Sequence, residues 1–276
     1  MNGTIAVTVV LKLVLWLLVI AVATVLLRRR AVTKKLRTAF LIGGILVFGI
    51  LFGLLATAQF DPNPVDILRN VTRLITGQQP QAGQVQQSRM VMAAVFLVVL
   101  LGISVLSNKA VCGWICHFGL LQDLVHKVPV PKWKPSLKVT NTVRGIAFVG
   151  LIVGLVTAGL DWIGVIDPFR MFRFDFFLAG GIFFAVILVA SLFIYRPWCQ
   201  FVCPFGFLSW VAEQFSLMRP RVHWDQCKKC RQCVKACPTG AMADFYAEKK
   251  IHADCFACGA CLDACPQPDA LKWRKK

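Results

Sequence analysis

The twelve cysteines fall into two kinds of spacing. Eight occur as Cys227-x2-Cys230-x2-Cys233-x3-Cys237-Pro238 and Cys255-x2-Cys258-x2-Cys261-x3-Cys265-Pro266. The other four form the pairs Cys112-Gly-Trp-Ile-Cys116 and Cys199-Gln-Phe-Val-Cys203. Thiolates are soft ligands, so iron–sulfur clusters, zinc and copper are the chemistries open to them. In the longer runs, three thiolates from a tight loop can cap one face of an iron–sulfur cube while a remote fourth closes the opposite corner. A zinc site needs four ligands and gives no reason for a doubled run. Lys228, Lys229, Arg231 and Lys235 sit among these cysteines. They suit raised cluster potentials, an acidic partner, or a solvated basic face near anionic lipid.

The two short pairs lie 87 residues apart and lead into similar tails, His117-Phe118-Gly119-Leu120-Leu121 and Pro204-Phe205-Gly206-Phe207-Leu208. Such repetition indicates two related half-units of helix, loop, helix and cysteine pair. If each pair lies on one helical turn, its cysteines share a face, and four thiolates meet at one membrane depth. Three readings stay open: a third iron–sulfur cluster, a zinc or copper ion or transient thiol chemistry, and cysteines simply buried at helix ends. Cys112 to His117 also resembles a c-type haem attachment motif with one extra residue, which would require the outer side of a membrane. Trp114, Gln122 and Asp123 lie in or just after the first pair. They are candidate quinone contacts, with helix capping and interfacial anchoring as the alternative roles.

The elements that must position these residues are read from composition. Of 276 residues, 57% are hydrophobic and only 16% charged, with a mean hydropathy of +0.67. This excludes a disordered chain, a small disulfide scaffold and an ordinary cytosolic enzyme. Apolar runs of about 20 residues, enough to span a bilayer, occur near Ile5 to Leu27, Thr38 to Ala58, Met90 to Ser107, Val143 to Leu160 and Phe176 to Tyr195. The first run lacks a basic leader region, carries Lys12 inside it and ends in Arg28-Arg29-Arg30, so it reads as a retained helix rather than a cleaved signal. The expected fold is an all-α membrane bundle of five helices with pseudo-repeated halves, followed by a C-terminal α+β domain. The expected divisions are 1–37 for an added N-terminal helix and basic loop, 38–218 for the membrane domain, and 219–276 for the cluster-bearing domain.

Lys and Arg outnumber Asp and Glu by 31 to 13, a net charge of +18. Eleven of the cations fall in the loops after the first and third runs, and five in the loops after the second and fourth. The positive-inside rule then places the N-terminus outside and the C-terminal domain in the cytoplasm, in an inner membrane. Disulfides are disfavoured on that reducing side, the haem attachment would be on the wrong face, and nucleic-acid binding is not expected because the charge is topological. Ile67, Leu68, Val71, Leu74 and Ile75 follow the Pro-spaced turn Asp61-Pro62-Asn63-Pro64 and predict an amphipathic helix on the outer face, before a Gln/Gly/Pro-rich stretch around Gln78 to Gln87. With the apolar loop Asp161 to Phe169 it either covers a quinone pocket or anchors helix ends at the interface. His117, His126, His223 and His252 all fall outside the spans, so no in-membrane pair is expected for a b-type haem.

The longer runs resemble the bacterial two-cluster ferredoxins, in which the fourth cysteine of each run ligates the other cluster. That resemblance assigns Cys227, Cys230, Cys233 and Cys265 to one [4Fe–4S] cluster, and Cys255, Cys258, Cys261 and Cys237 to a second. Together with the two C-x3-C pairs, the region from about Leu41 onward resembles the NapH-type membrane ferredoxins and the membrane half of NosR-type proteins. The resemblance implies a quinol dehydrogenase component, passing electrons between the quinone pool and other redox subunits in a lipid membrane. His117 departs from the usual C-x3-C-P, and the helix at Ile5 to Leu27 looks like an addition. A copper reductase or maturation factor, using Cys112, Cys116, Cys199 and Cys203, and a redox-sensing anchor remain as alternatives.

Overall fold

The computed structural model describes residues 3–55, 64–76, 83–174 and 177–275. Asp61 to Asn63 of the predicted turn, residues 77–82 of the Gln-rich stretch, the end of the second apolar run and Phe176 lie outside the described residues.

The membrane part consists of α1 (Gly3–Arg28), α2 (Lys34–Gly44, continued by a π-helical stretch Ile45–Leu51 and α3, Phe52–Leu55), α4 (Pro64–Thr76), α5 (Gly83–Ser107), α6 (Ala110–Trp114), α7 (His117–Val125), α8 (Leu137–Ala158), α9 (Trp162–Val165), α10 (Leu178–Phe193) and α11 (Pro204–Glu213). Three described helical segments are long and apolar enough to cross a membrane: Val10–Arg28, Lys34–Leu54 and Leu137–Ala158. Val91–Ser107 and Leu178–Phe193 are shorter apolar helices, so among the described residues three of the five expected spans are matched by helices of spanning length.

Each helix is divided by its own periodicity. Along α1, Trp16, Ile20, Ala23 and Leu27 are buried at steps of three and four residues, while Val14, Leu17, Leu18 and Val25 are exposed. An exposed apolar face of that extent marks an interaction surface. Local signals set the ends. The Thr33 hydroxyl accepts from Leu36 N–H at 3.3 Å at the start of α2, Ser136 caps α8, and Gly159 at φ 63° stops it.

The segments expected on the outer face are packed into the bundle. Val65, Ile67 and Leu68 of α4 are buried, and α4 packs on α5, α8 and α11, because its apolar stripe finds helix faces to cover. After α9, the 3-10 turn Pro168–Arg173 brings Phe169, 1% exposed, against His117 with ring centres 5.0 Å apart. The polar sides of these two segments face each other: Arg69 bonds Asp66 and Asp161, and Arg173 bonds Asp66 at 2.9 Å.

Beyond α11 the chain forms β1 (Met218–Val222), α12 (Gln232–Ala236), α13 (Ala241–Tyr246), α14 (Ala260–Asp263) and β2 (Leu271–Lys275). The strands pair antiparallel, Met218 opposite Lys275 and Val222 opposite Leu271. They bracket all eight cysteines of the long runs, with Met242, Leu262, Leu271 and Trp273 buried beneath them.

Candidate iron–sulfur site

The two C-x3-C pairs do not lie on continuous helical faces. Cys112 sits inside the one-turn helix α6, and the chain breaks at Cys116, which is the N-cap of α7 with φ −61° and ψ 103°. Cys203 is the N-cap of α11 with nearly the same backbone, φ −61° and ψ 118°. An extended N-cap residue breaks the i, i+4 alignment, so each pair is held by a corner instead. The corner presents the second sulfur to the amide end of a new helix: the backbone amides of Gly119 and Phe118 favour the Cys116 thiolate, and that of Gly206 favours the Cys203 thiolate. Gly206 is required by close approach, because a Cβ there would overlap the Cys199 carbonyl oxygen.

The four sulfurs lie near enough to act on one another's charge. Burial pushes the Cys112, Cys116 and Cys199 thiols up to about 12, and next in importance are Cys199 acting on Cys112, Cys112 on Cys116, and Cys116 on Cys199. Cys203 is raised by burial and then by Cys199, Cys112 and Cys116. Such thiols ionise only when a cation compensates them, as a metal centre does.

Two buried cations cross between the pairs. Lys109 and Arg196 each stand three residues before the first cysteine of a pair, and both are 0% exposed. Lys109 Nζ donates to the Gly206 carbonyl at 2.7 Å and pairs with Asp254. Arg196 donates to the Cys112 carbonyl, to Gly113 O at 3.3 Å and to Asp123 Oδ2 at 2.8 Å. Each cation therefore fastens its own segment to the other one.

Asp123 gathers the second cation's partners. Its Oδ2 accepts from Arg196, from Arg37 at 2.8 Å and from the Tyr195 hydroxyl at 2.9 Å. Burial alone would raise this carboxyl, but Arg196 and Arg37 hold it well below the usual carboxylate range. Gln122, also singled out by sequence, accepts from Trp198 N–H at 3.0 Å and donates to Phe118 O at 3.2 Å. Trp114 Nε1 donates to Ala257 O at 2.9 Å. Trp114 and Gln122 thus bond the protein itself, and Asp123 borders a cavity.

The Ala257 contact belongs to a seam between the membrane part and the C-terminal domain. Lys109 N–H donates to Cys255 O at 3.1 Å, Arg144 Nη1 holds both Asp254 oxygens at 2.7 and 2.9 Å, and Glu213 Oε2 accepts from Cys255 N–H at 3.1 Å. Burial pushes the Glu213 carboxyl well above its ordinary range. Gly113 meets the Phe256 carbonyl so closely that any Cβ would overlap it. Sequence reasoning missed Arg37, Lys109, Arg144 and Arg196 as parts of the site. The repeated cation three residues before each pair was the available signal for two of them.

Within the C-terminal domain, Cys237, Cys255, Cys258 and Cys261 line one narrow space with Phe256 and Trp273. The Cys233 thiol is pushed up to about 11 by burial and then by Cys265, with Cys227 and Cys230 adding smaller effects. Cys265 thus lies near Cys233, and Cys237 near the second run. Cys261 is raised by burial and then by Cys237, Cys258 and Cys233, so the sets adjoin. Among the described residues, no three His, Cys, Asp or Glu side chains close on a point as a single ion requires. The twelve cysteines form no disulfide, and thiol sulfur is the soft donor that iron–sulfur clusters take. Cys230 is exposed, whereas Cys112, Cys199 and Cys203 are buried.

A family model described as a 4Fe-4S binding domain matches residues 90–136 and again 176–222, once over each C-x3-C pair. A second, described as a 4Fe-4S dicluster domain, matches residues 226–271. The putative electron transport protein YccM of Escherichia coli K12 is 29% identical over 220 residues, 72% of this chain and 58% of that protein. The ferredoxin-type protein NapH of Haemophilus influenzae is 25% identical over 186 residues, covering 62% of this chain and 64% of NapH. The regulatory protein NosR of Stutzerimonas stutzeri is 26% identical over 168 residues, 55% of this chain and 22% of NosR. The chain thus spans less than two thirds of the length of these relatives. No solved structure matches.

Proposed function

From the premise that this chain is a homologue of ferredoxin-type electron-transport proteins and carries 4Fe-4S binding domains, we propose that it is a membrane electron-transfer subunit of an oxidoreductase complex, relaying electrons between the quinone pool and partner redox proteins. Cys227, Cys230, Cys233 and Cys265 hold one [4Fe–4S] cluster, and Cys255, Cys258, Cys261 and Cys237 hold a second. Cys112, Cys116, Cys199 and Cys203, contributed by two half-units, hold a third centre. When bound, these clusters supply one-electron carriers.

The observation that carries this reading is the seam. The Cys255 to Cys258 loop is bonded directly to the Lys109–Trp114 segment, so one set of sulfurs adjoins the C-x3-C sulfurs. At its far side the C-terminal domain exposes Cys230 beside Lys228, Lys229 and Arg231, where a soluble or subunit partner can approach. The protein's own side chains exclude water from the inner centre, place two fixed cations on it and hold both halves in register.

The proposed topology has five crossings with the N-terminus outside and the C-terminal domain in the cytoplasm of the inner membrane. The proposed divisions are 1–37, 38–218 and 219–276. The basic loops support the orientation. Iron and labile sulfide counted on anaerobically purified protein test the proposal. Two cubes contain about eight irons and three about twelve; a protein without iron would sink it.

A further inference from the structure

The seam encloses a cavity of about 430 Å³, within the roughly 300–1,000 Å³ of small-molecule sites. One wall comes from the inner ends of the membrane helices: Thr33, Arg37, His126, Lys127 and Tyr195. The other is the cluster loop itself, including Cys258 and Ala260.

The chemistry of the lining narrows the occupant. His126 Nδ1 lies 3.0 Å from the Ser191 carbonyl; a carbonyl can only accept, so in the neutral ring Nδ1 carries the proton and Nε2 is the acceptor. Burial lowers the pKa of this ring, which favours the neutral form. The Lys127 ammonium has three protons and gives one to Thr38 Oγ1. Asp123 Oδ2 accepts from Arg37, Arg196 and Tyr195, which fixes this carboxylate in the wall. His126 and Tyr195 stand edge to face, 5.3 Å apart, giving an aromatic side, and Val32, Ala236 and Ala260 give an apolar one. Such a lining suits a flat ring with an oxygen that accepts from an ammonium and another that exchanges a hydrogen bond with a neutral imidazole. The site lies where spanning helices end, open to a lipid-soluble molecule, and a proposed cluster ligand forms part of its wall.

We propose that this cavity, between Lys127, His126, Tyr195 and the Cys258 loop, is the binding site for a quinone headgroup. The inference rests on the electron-relay reading, and it puts the quinone at the inner seam rather than beneath the 161–169 loop. The test uses the full chain in lipid nanodiscs, with a photoreactive azido-quinone as probe and mass spectrometry to find the adduct. Labelling of residues 32–38, 123–127 or 195 that unlabelled quinone competes away is the expected result. Lys127→Ala, with iron content and reduced EPR spectrum unchanged, should bind the probe about tenfold more weakly, as loss of one charged hydrogen bond implies. An adduct on 65–75 or 161–173, no adduct, or full-strength labelling of a folded Lys127→Ala protein would overturn the site. These results leave the relay reading intact as long as iron is present, whereas an iron-free protein removes both.

Discussion

The two C-x3-C segments share a corner and differ in what their cations hold. Both place the second cysteine at a helix N-cap with almost the same backbone, and both carry a fully buried cation three residues before the first. Lys109 pairs with Asp254 of the C-terminal domain, whereas Arg196 pairs with Asp123 inside the membrane part. The first segment is therefore the docking half and the second the locking half. Two segments of similar sequence are thus given two duties by their salt bridges.

The largest expected effect comes from the sulfurs, where the segments should be equivalent. Cys112→Ser and Cys199→Ser should each remove the same centre, lowering iron from about twelve to about eight atoms while leaving the two-cluster domain. Iron and EPR signals that respond to one substitution and not the other would break the equivalence. Next are the cations, where the segments should differ. Arg196→Gln leaves a buried carboxylate short of a partner and should cost about 3–5 kcal/mol, read as early thermal unfolding of the whole protein. Lys109→Met leaves Asp254 with Arg144 and should cost about 1.5–3 kcal/mol, with faster hydrogen exchange concentrated in residues 250–262. Identical exchange patterns in the two variants would erase the division of duties.

Smaller effects sharpen the picture at the N1 position. His117→Pro makes the first corner like the second; proline is tolerated at N1, so iron content should hold. The variant loses the His117 ring from its contacts with Phe169 and Phe172, worth about 1 kcal/mol in a denaturation measurement. The smallest effect concerns pH. Because the folded Asp123 pKa is depressed, its contribution is complete above the unfolded carboxylate value near 4 and is lost only as pH falls through the lower folded one. Wild-type stability attributable to Asp123 should thus be flat from about pH 8 to about pH 5, and an Asp123→Asn difference that grows across that range would contradict the pairing.

The eight-cysteine runs were legible because cluster ligation is written in short local spacings. The C-x3-C pairs were legible as a repeat but not as corners, since i, i+4 spacing reads as a helical face until the extended N-cap is seen. The apolar runs gave the bundle. They did not reveal that Val65, Ile67 and Leu68 of α4, and Phe169, would be buried, because an amphipathic stripe covers a helix face as readily as an interface. The buried cations were the least legible. Arg37 and Lys109 lie in stretches whose charge reads as orienting loops, and their carboxylate partners are 86 and 145 residues away. Trp114 and Gln122 were chosen as polar groups near a motif, and protein carbonyls and amides turn out to be what they bind.

The Asp254 pairing also orders biogenesis. Lys109 and Arg144 precede Asp254 by 145 and 110 residues, so the ribosome delivers both cations long before their counter-charge. Until residue 254 is made, the two cations lack the carboxylate that neutralises them, and burying them unpaired is costly.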